Sequence, residues 1–184
     1  MIHDRLINLK QYLSDELYTT VQGFLEKVSE EIPEGEYHLA IHVCVFNSEN
    51  KMLIQQRQPF KAGWSNMWDV SVGGSAIAGE NSRAAAQREL EEEIGLKISF
   101  DNIRPMLTVH FDHGFDDIYT ISSDADIKDL KLQYEEVQAA KWATEEEILS
   151  MIADGSFIPY HEQLISLLFF MRNHRGTFKH DEGK

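Results

Sequence analysis

The chain has 184 residues and a mass of 21.2 kDa, enough for one domain with a sizeable core plus a modest appendage, and short for two. Its 17 Lys and Arg against 31 Asp and Glu give a net charge of −14, which repels phosphate backbones and argues against a nucleic-acid-binding module. No run is apolar and long enough to span a bilayer, the N-terminus lacks a signal-peptide pattern, and the single cysteine, Cys44, permits no intrachain disulfide. The expectation is an acidic cytoplasmic protein with neither nucleic acid nor membrane as partner.

Apolar residues at near-helical spacing from Arg5 to Val28 (Leu6, Leu9, Leu13, Leu17, Val21, Phe24, Val28) predict an N-terminal helix, broken by Pro33 and Gly35 in a linker at Glu30 to Glu36. This makes residues 1–36 an appendage to a domain at 37–172, with a frayed tail at 173–184. From Tyr37 the period changes to that of a strand. Tyr37, Leu39, Ile41, Val43 and Val45 share one face, a turn at Asn47 to Asn50 follows, and Lys51 to Gln56 returns as the second arm of a hairpin. Arg57 to Met67 reads as a loop and Trp68 to Val72 as one short strand. A helix over Asn81 to Ile94 ends at Gly95. Strands are expected at Leu96–Phe100, Arg104–Phe111, Asp117–Ser122 and Val137–Ala143. Thr144 with Glu147 forms a capping box that opens a helix over Glu145 to Ala153, and Pro159 is expected to start a last helix through Arg172. The pattern predicts an α/β fold, a mixed sheet covered by helices.

The chemistry concentrates in Gly74 to Leu96, GSAIAGENSRAAAQRELEEEIGL. At about 100° per residue, Glu93 lies about 40° from Glu89 and Glu92 about −60°, so three carboxylates share one side of the helix. Like charges this close destabilise one another unless a cation sits among them, and hard oxygen ligands suit Mg²⁺ or Mn²⁺. Gly73 and Gly74 offer backbone that can approach such a site, and a Gly74 carbonyl could serve as a further ligand. Ala86, Leu90 and Ile94 form an apolar seam, and Arg88 can pair with Glu92 four residues on. A glutamate-rich helix is usually a solvated face. The full spacing overturns that reading: Gly74, five residues, Glu80, seven residues, Arg88-Glu89-Leu90, one residue, Glu92-Glu93, one residue, Gly95-Leu96. Seven positions fixed by type agree by chance at about one start in 10⁸.

This stretch is a complete Nudix box, and the sequence resembles the Nudix hydrolases. The resemblance implies an α/β/α sandwich with a mixed sheet that binds divalent metal (Mg²⁺ or Mn²⁺) and cleaves a diphosphate linkage in a small, nucleoside diphosphate-linked substrate. By position it implies Glu89, Glu92 and Glu93 as metal ligands with Gly74, Arg88 as a catalytic-helix arginine that orients a glutamate, and Glu80 as a supporting residue. The general base stays open among Glu89, Glu93, Glu135 and Glu136. Homodimers are frequent among such relatives, so a homodimer is an open expectation.

The flanks HLAIHVCVFNSENKMLIQQR and WSNMWDVSVGGSAIAGE resemble the isopentenyl-diphosphate isomerase branch. Isomerases place a cysteine before the box glycine and a histidine after it, where this chain has Gly73 and Ser75. Cys44 lies mid-strand, as a small buried hydrophobe would. Isomerase chemistry is therefore disfavoured, and a non-catalytic diphosphate sensor is the other alternative. Markers of better-defined hydrolase classes are absent: Phe111, not proline, lies fifteen residues beyond Leu96. Arg57, Lys61 and Trp64 in the loop before the box, with Trp68, are candidates to bind phosphates and a ring. His38, His42, His110 and His113, near Asp112, Asp116 and Asp117, are read as hydrogen-bonded neighbours and not as ligands.

Overall fold

The computed structural model describes residues 35–174 together with Gly176 and Phe178, so the helix expected over Arg5 to Val28 and most of the expected tail lie outside the described residues. Seven strands form one mixed sheet: β1 (His38–Phe46), β2 (Met52–Arg57), β3 (Trp68–Asp69), β4 (Val72–Ser75), β5 (Leu107–Phe111), β6 (Gly114–Ser122) and β7 (Val137–Ala143). Strand β1 is central. It pairs in parallel with β6 along its whole length and antiparallel with β4, while β5 flanks β6 and β7 flanks β2. Helices α1 (Ser82–Ile94), α2 (Glu145–Asp154) and α3 (Glu162–Met171) cover the sheet.

The alternation of β1 sorts the core into two layers. Ile41, Val43 and Val45 pack with Ala85, Ala86, Leu90 and Ile94 of α1, whereas Cys44 and Phe46 pack with Ile148 of α2 and Ile165, Leu168 and Phe169 of α3. Both faces of the strand are thus buried between helices, an α/β/α sandwich. Complete burial of Leu90 or Ile94 contributes about 1.5–3 kcal/mol each, which anchors the box helix to the sheet.

The expected β1–β2 hairpin is splayed. The two strands pair only at Phe46 and Met52. The segment expected as one strand, Trp68 to Val72, runs through the gap: Trp68 and Asp69 pair with β2, then Val72 to Ser75 pair with β1. At the crossing the Ser71 hydroxyl accepts from Val45 N at 2.8 Å and donates to the Leu53 carbonyl at 2.5 Å, so one side chain replaces the missing ladder bonds. Two other expectations are corrected. Leu96–Phe100 forms no strand; Phe100 is buried in the α1 layer against Tyr119, and its N–H is taken by the Gln87 side chain instead of a strand neighbour. The last helix begins at Glu162, not Pro159, and the intervening residues carry Tyr160 to the cleft. The caps agree with expectation: Asn81 accepts from Ala84 N at 3.0 Å, Gly95 ends α1 with φ 72°, and Thr144 and Glu147 form a capping box.

Candidate active site

The gap between β1 and β2 opens into a cavity of about 430 Å³ lined by residues of both strands, of the crossing segment and of α1. Helix α1 presents its carboxylates unequally. Glu89 and Glu93, one turn apart, are buried and line the cavity. Glu92 is on the outer flank, its side chain 48% exposed, in a groove with Arg83, Arg88 and Glu91. Arg88 ties the set together. Its guanidinium donates twice to Glu80 at 2.9 Å, to the Ser75 carbonyl at 3.1 Å and to Glu92 at 3.2 Å, and lies 2.7 Å from Glu89. Hydrogen bonds and charge from Glu80 and Glu89 raise the basicity of this arginine against its partial burial. Glu80 also accepts from Ile77 N at 3.1 Å.

The buried carboxylates are short of positive charge. Burial, and then the charges of Glu136 and Glu89, push Glu93 well above the ordinary glutamate range; among the described residues the side chain that donates to it is Gln55, at 3.0 Å. Burial also raises Glu89, with Arg88 opposing. Gly74 lies so close that a Cβ there would sit 2.5 Å from Glu89 Cδ and 2.7 Å from its Oε1. This is why the position holds a glycine. Among the described residues no three His, Cys, Asp or Glu side chains form a ready cage for an ion. The arrangement of two buried carboxylates, an adjoining third and closely approaching backbone suits a cation that completes its shell with water and substrate oxygens, as Mg²⁺ and Mn²⁺ do. The residues fit such an ion.

Of the four candidate bases, Glu89, Glu93 and Glu136 share the cavity, and Glu135 is not among its lining residues. Glu136 is anchored by Lys61, whose buried Nζ lies 2.5 Å from its Oε2. Lys61 is thereby engaged with a carboxylate of the site. Arg57 differs: its guanidinium lies 3.8 Å from Asp69 Oδ2, beyond hydrogen-bond range, and its buried Nε has no partner among the described residues. Trp64 stands at the cavity, 52% exposed, with a left-handed backbone (φ 50°) that is unfavourable for its side chain. Trp68 is away from the cavity, covered by Lys141 Nζ at 4.6 Å.

A second polar group under the same cavity was only partly legible. His42 Nδ1 bonds both oxygens of Asp116 at 2.8 and 2.9 Å, its Nε2 lies 3.1 Å from Tyr160 Oη, and Tyr160 donates to Asp69 Oδ1 at 2.8 Å. His42 therefore is a hydrogen-bonded neighbour, as expected. Burial would lower its basicity, but Asp116, by hydrogen bond and charge, and the charge of Asp69 leave it above the ordinary value. Burial and Asp69 hold Tyr160 well above the usual phenol range. His38 bonds Ser75 Oγ at 2.7 Å.

A family model of the NUDIX domain matches residues 36–178. The chain belongs to the Nudix family. It is 45% identical over 144 residues to an uncharacterised Nudix hydrolase of Listeria monocytogenes, covering 78% of this chain and 84% of that protein. It is also 26% identical over 183 residues to an isopentenyl-diphosphate delta-isomerase of Candida albicans, covering 78% of this chain and 64% of that one, so the isomerase-like flanks reflect kinship. The fold is shared with the crystal structure of a Deinococcus radiodurans protein at a TM-score of 0.60 and 25% identity, over 74% of this chain and 86% of that one. Kinship with Nudix hydrolases supports hydrolysis of pyrophosphate bonds in general. Among the described residues no helix is long and apolar enough to cross a membrane.

Proposed function

We propose that this Nudix protein is a cytoplasmic, Mg²⁺- or Mn²⁺-dependent hydrolase that cleaves the diphosphate linkage of a small, nucleoside diphosphate-linked substrate. One observation carries the reading: two buried carboxylates, Glu89 and Glu93, and the half-buried Glu136 face the same cavity as Arg57, whose guanidinium makes no hydrogen bond to the described residues. A cation beside the carboxylates and a phosphate beside the arginine would satisfy both. The cavity volume suits a nucleotide-sized ligand, and Trp64 at its lip offers a flat face for a ring.

In this reading Glu89 and Glu93 hold the cation, with Glu92 next to them on the rim and the Gly74 backbone alongside. When bound, the ion draws charge from the phosphate oxygens and makes water more acidic. Arg88 holds Glu89 by an ion pair at 2.7 Å, and Arg57 orients a phosphate oxygen. Glu136 accepts the proton of the attacking water while Lys61 holds its other oxygen. The water oxygen bonds to phosphorus, the bridging P–O bond breaks in line, and each product leaves with one phosphate.

The isomerase alternative meets two obstacles. At Gly73 an added Cβ would sit 3.1 Å from His42 Cδ2, so the His42 ring fills the place where a side chain before the box glycine would project. The thiol of Cys44 is fully buried and pushed up by that burial, which denies it a thiolate. The test is a panel of nucleoside diphosphate sugars, dinucleotides, nucleoside di- and triphosphates and isopentenyl diphosphate, incubated with Mg²⁺ and analysed by mass. Turnover of a nucleoside diphosphate-linked class, absent with EDTA, is the expected result. Conversion of isopentenyl diphosphate alone would overturn the reading.

A further inference from the structure

Arg57 and Asp69 face each other across the paired strands β2 and β3, next to the register pair Gln55 and Asp69. Asp69 is almost completely buried, and its two oxygens are differently used: Oδ1 accepts from Val70 N and from Tyr160 Oη, both at 2.8 Å, while Oδ2 faces the Arg57 guanidinium. Beyond Tyr160 the chain of bonds continues through His42 to Asp116. It thereby links β6, β1, the segment before α3, β3 and β2. None of these groups faces the carboxylates of α1 as a partner, and the hydrolytic steps above use only Arg57 among them.

Proton accounting fixes the direction of this relay. Both ends are carboxylates that only accept. The phenol has one proton, and it goes to Asp69. The Nε2 of His42 must then donate to the phenol oxygen, and Nδ1 must donate to Asp116, so the imidazole carries both protons. With Arg57 included, two cations and two anions balance. Every partner of Asp69 except Arg57 is locked by a hydrogen bond, and the Arg57 contact alone is a charge contact at 3.8 Å.

We propose that Asp69 and Tyr160 are positioning residues for Arg57: Tyr160 locks the Asp69 carboxylate, and Asp69 holds the guanidinium by charge without consuming its hydrogen bonds, leaving them for an anionic oxygen of the substrate. This rests on the reading of the cavity as a diphosphate site. It explains why an arginine whose side chain is only 20% exposed makes no side-chain hydrogen bond to the described residues, a state that is unfavourable unless a ligand supplies the acceptor.

The experiment is a binding cycle on the full chain, with methylenediphosphonate and Mg²⁺ as probe, in wild type, Arg57→Ala, Tyr160→Phe and the double variant. Arg57→Ala is expected to weaken binding by roughly 10- to 100-fold, the loss of charge-assisted bonds, and Tyr160→Phe by about 5-fold. In the Arg57→Ala background, Tyr160→Phe is expected to have no further effect. The ¹⁵Nε–H signal of Arg57, assigned by its loss in Arg57→Lys, is expected to be sharp in wild type and broadened by exchange in Tyr160→Phe. Equal weakening by Tyr160→Phe in both backgrounds would show that Tyr160 acts directly or through overall stability, and overturns the proposal while leaving the site reading intact. Wild-type affinity and an unchanged Arg57 signal in Tyr160→Phe overturn it too. Wild type that binds no probe, with Arg57→Ala indistinguishable from it, defeats the site reading itself and the proposal with it.

Discussion

Two buried or half-buried polar groups lie at one cavity and differ in how they are satisfied. The relay Asp116–His42–Tyr160–Asp69 closes on itself, with every side chain bonded and charges balanced against Arg57. The carboxylates of α1 and Glu136 do not close: Glu93 is buried among like charges with a glutamine as its donor. Buried polar groups that satisfy one another hold structure in place, whereas a buried excess of one sign calls for something from outside. The difference separates the residues that shape the site from those that meet cation and substrate.

Breaking the unbalanced group has the largest expected effect. Glu93→Gln is expected to lower kcat/KM by about 10³-fold or more, yet to raise the stability of the metal-free protein at pH 8 by about 1 kcal/mol, or roughly 3 °C in Tm. The sign follows from linkage. Glu93 takes up a proton more readily folded than unfolded, so its contribution to stability is greatest at low pH and falls as pH rises from the ordinary glutamate range through its raised folded value. Thermal melts in EDTA across pH 4 to 9 should show that decline in wild type and a flatter profile in Glu93→Gln. A variant less stable than wild type at pH 8 would show that the buried charge is already compensated.

The adjacent pair at the end of the loop before β7 sharpens the comparison. Glu136→Gln is expected to lower kcat by about 10²- to 10³-fold, and Glu135→Gln by less than about 3-fold. Equal losses in steady-state kinetics would remove the distinction between a cavity carboxylate and its neighbour. Gly74→Ala pushes a methyl group into Glu89 and is expected to reduce kcat about 10²-fold by displacing that carboxylate. It should cost about 1–3 kcal/mol in denaturant melts; full activity would mean that Glu89 is free to move. The smallest effect is expected at Cys44. Cys44→Ala should leave kcat/KM within about 2-fold and change stability by about 1 kcal/mol, and loss of turnover there would point back to thiol chemistry.

Much of this was legible in the sequence because the signals were local. The spacing of the box placed Glu89, Glu93 and Gly74, the alternation of β1 placed both core layers, and capping residues placed the ends of α1 and the start of α2. Spacing alone gave Glu92 equal standing with its neighbours; the structure puts it on the outer flank because Leu90 and Ile94 fix the rotation of the helix and Arg88 draws Glu92 outward. The relay was hidden for a different reason. Its members come from positions 42, 69, 116 and 160, brought together by the splayed hairpin and by a crossing segment that pairs with two strands in turn. The pattern after Pro159 suggests helix, but a tight turn there, closed by Tyr160 N donating to the Ile158 carbonyl at 2.7 Å, precedes the helix start at Glu162, and Tyr160 lines the cavity. Leu96–Phe100 has the composition of a strand, but Phe100 finds its place in the α1 layer and no strand edge takes its backbone.

The central claim is that water attacks phosphorus in the cavity that holds Glu89 and Glu93. The most direct measurement is turnover of the hydrolysed substrate in H₂¹⁸O with Mg²⁺, with the mass of each product resolved and Glu93→Gln beside it. One ¹⁸O in a product phosphate per turnover in wild type, and none above background in Glu93→Gln, is the predicted result. Deuterium uptake from D₂O into isopentenyl diphosphate, with no ¹⁸O in any phosphate, would contradict it.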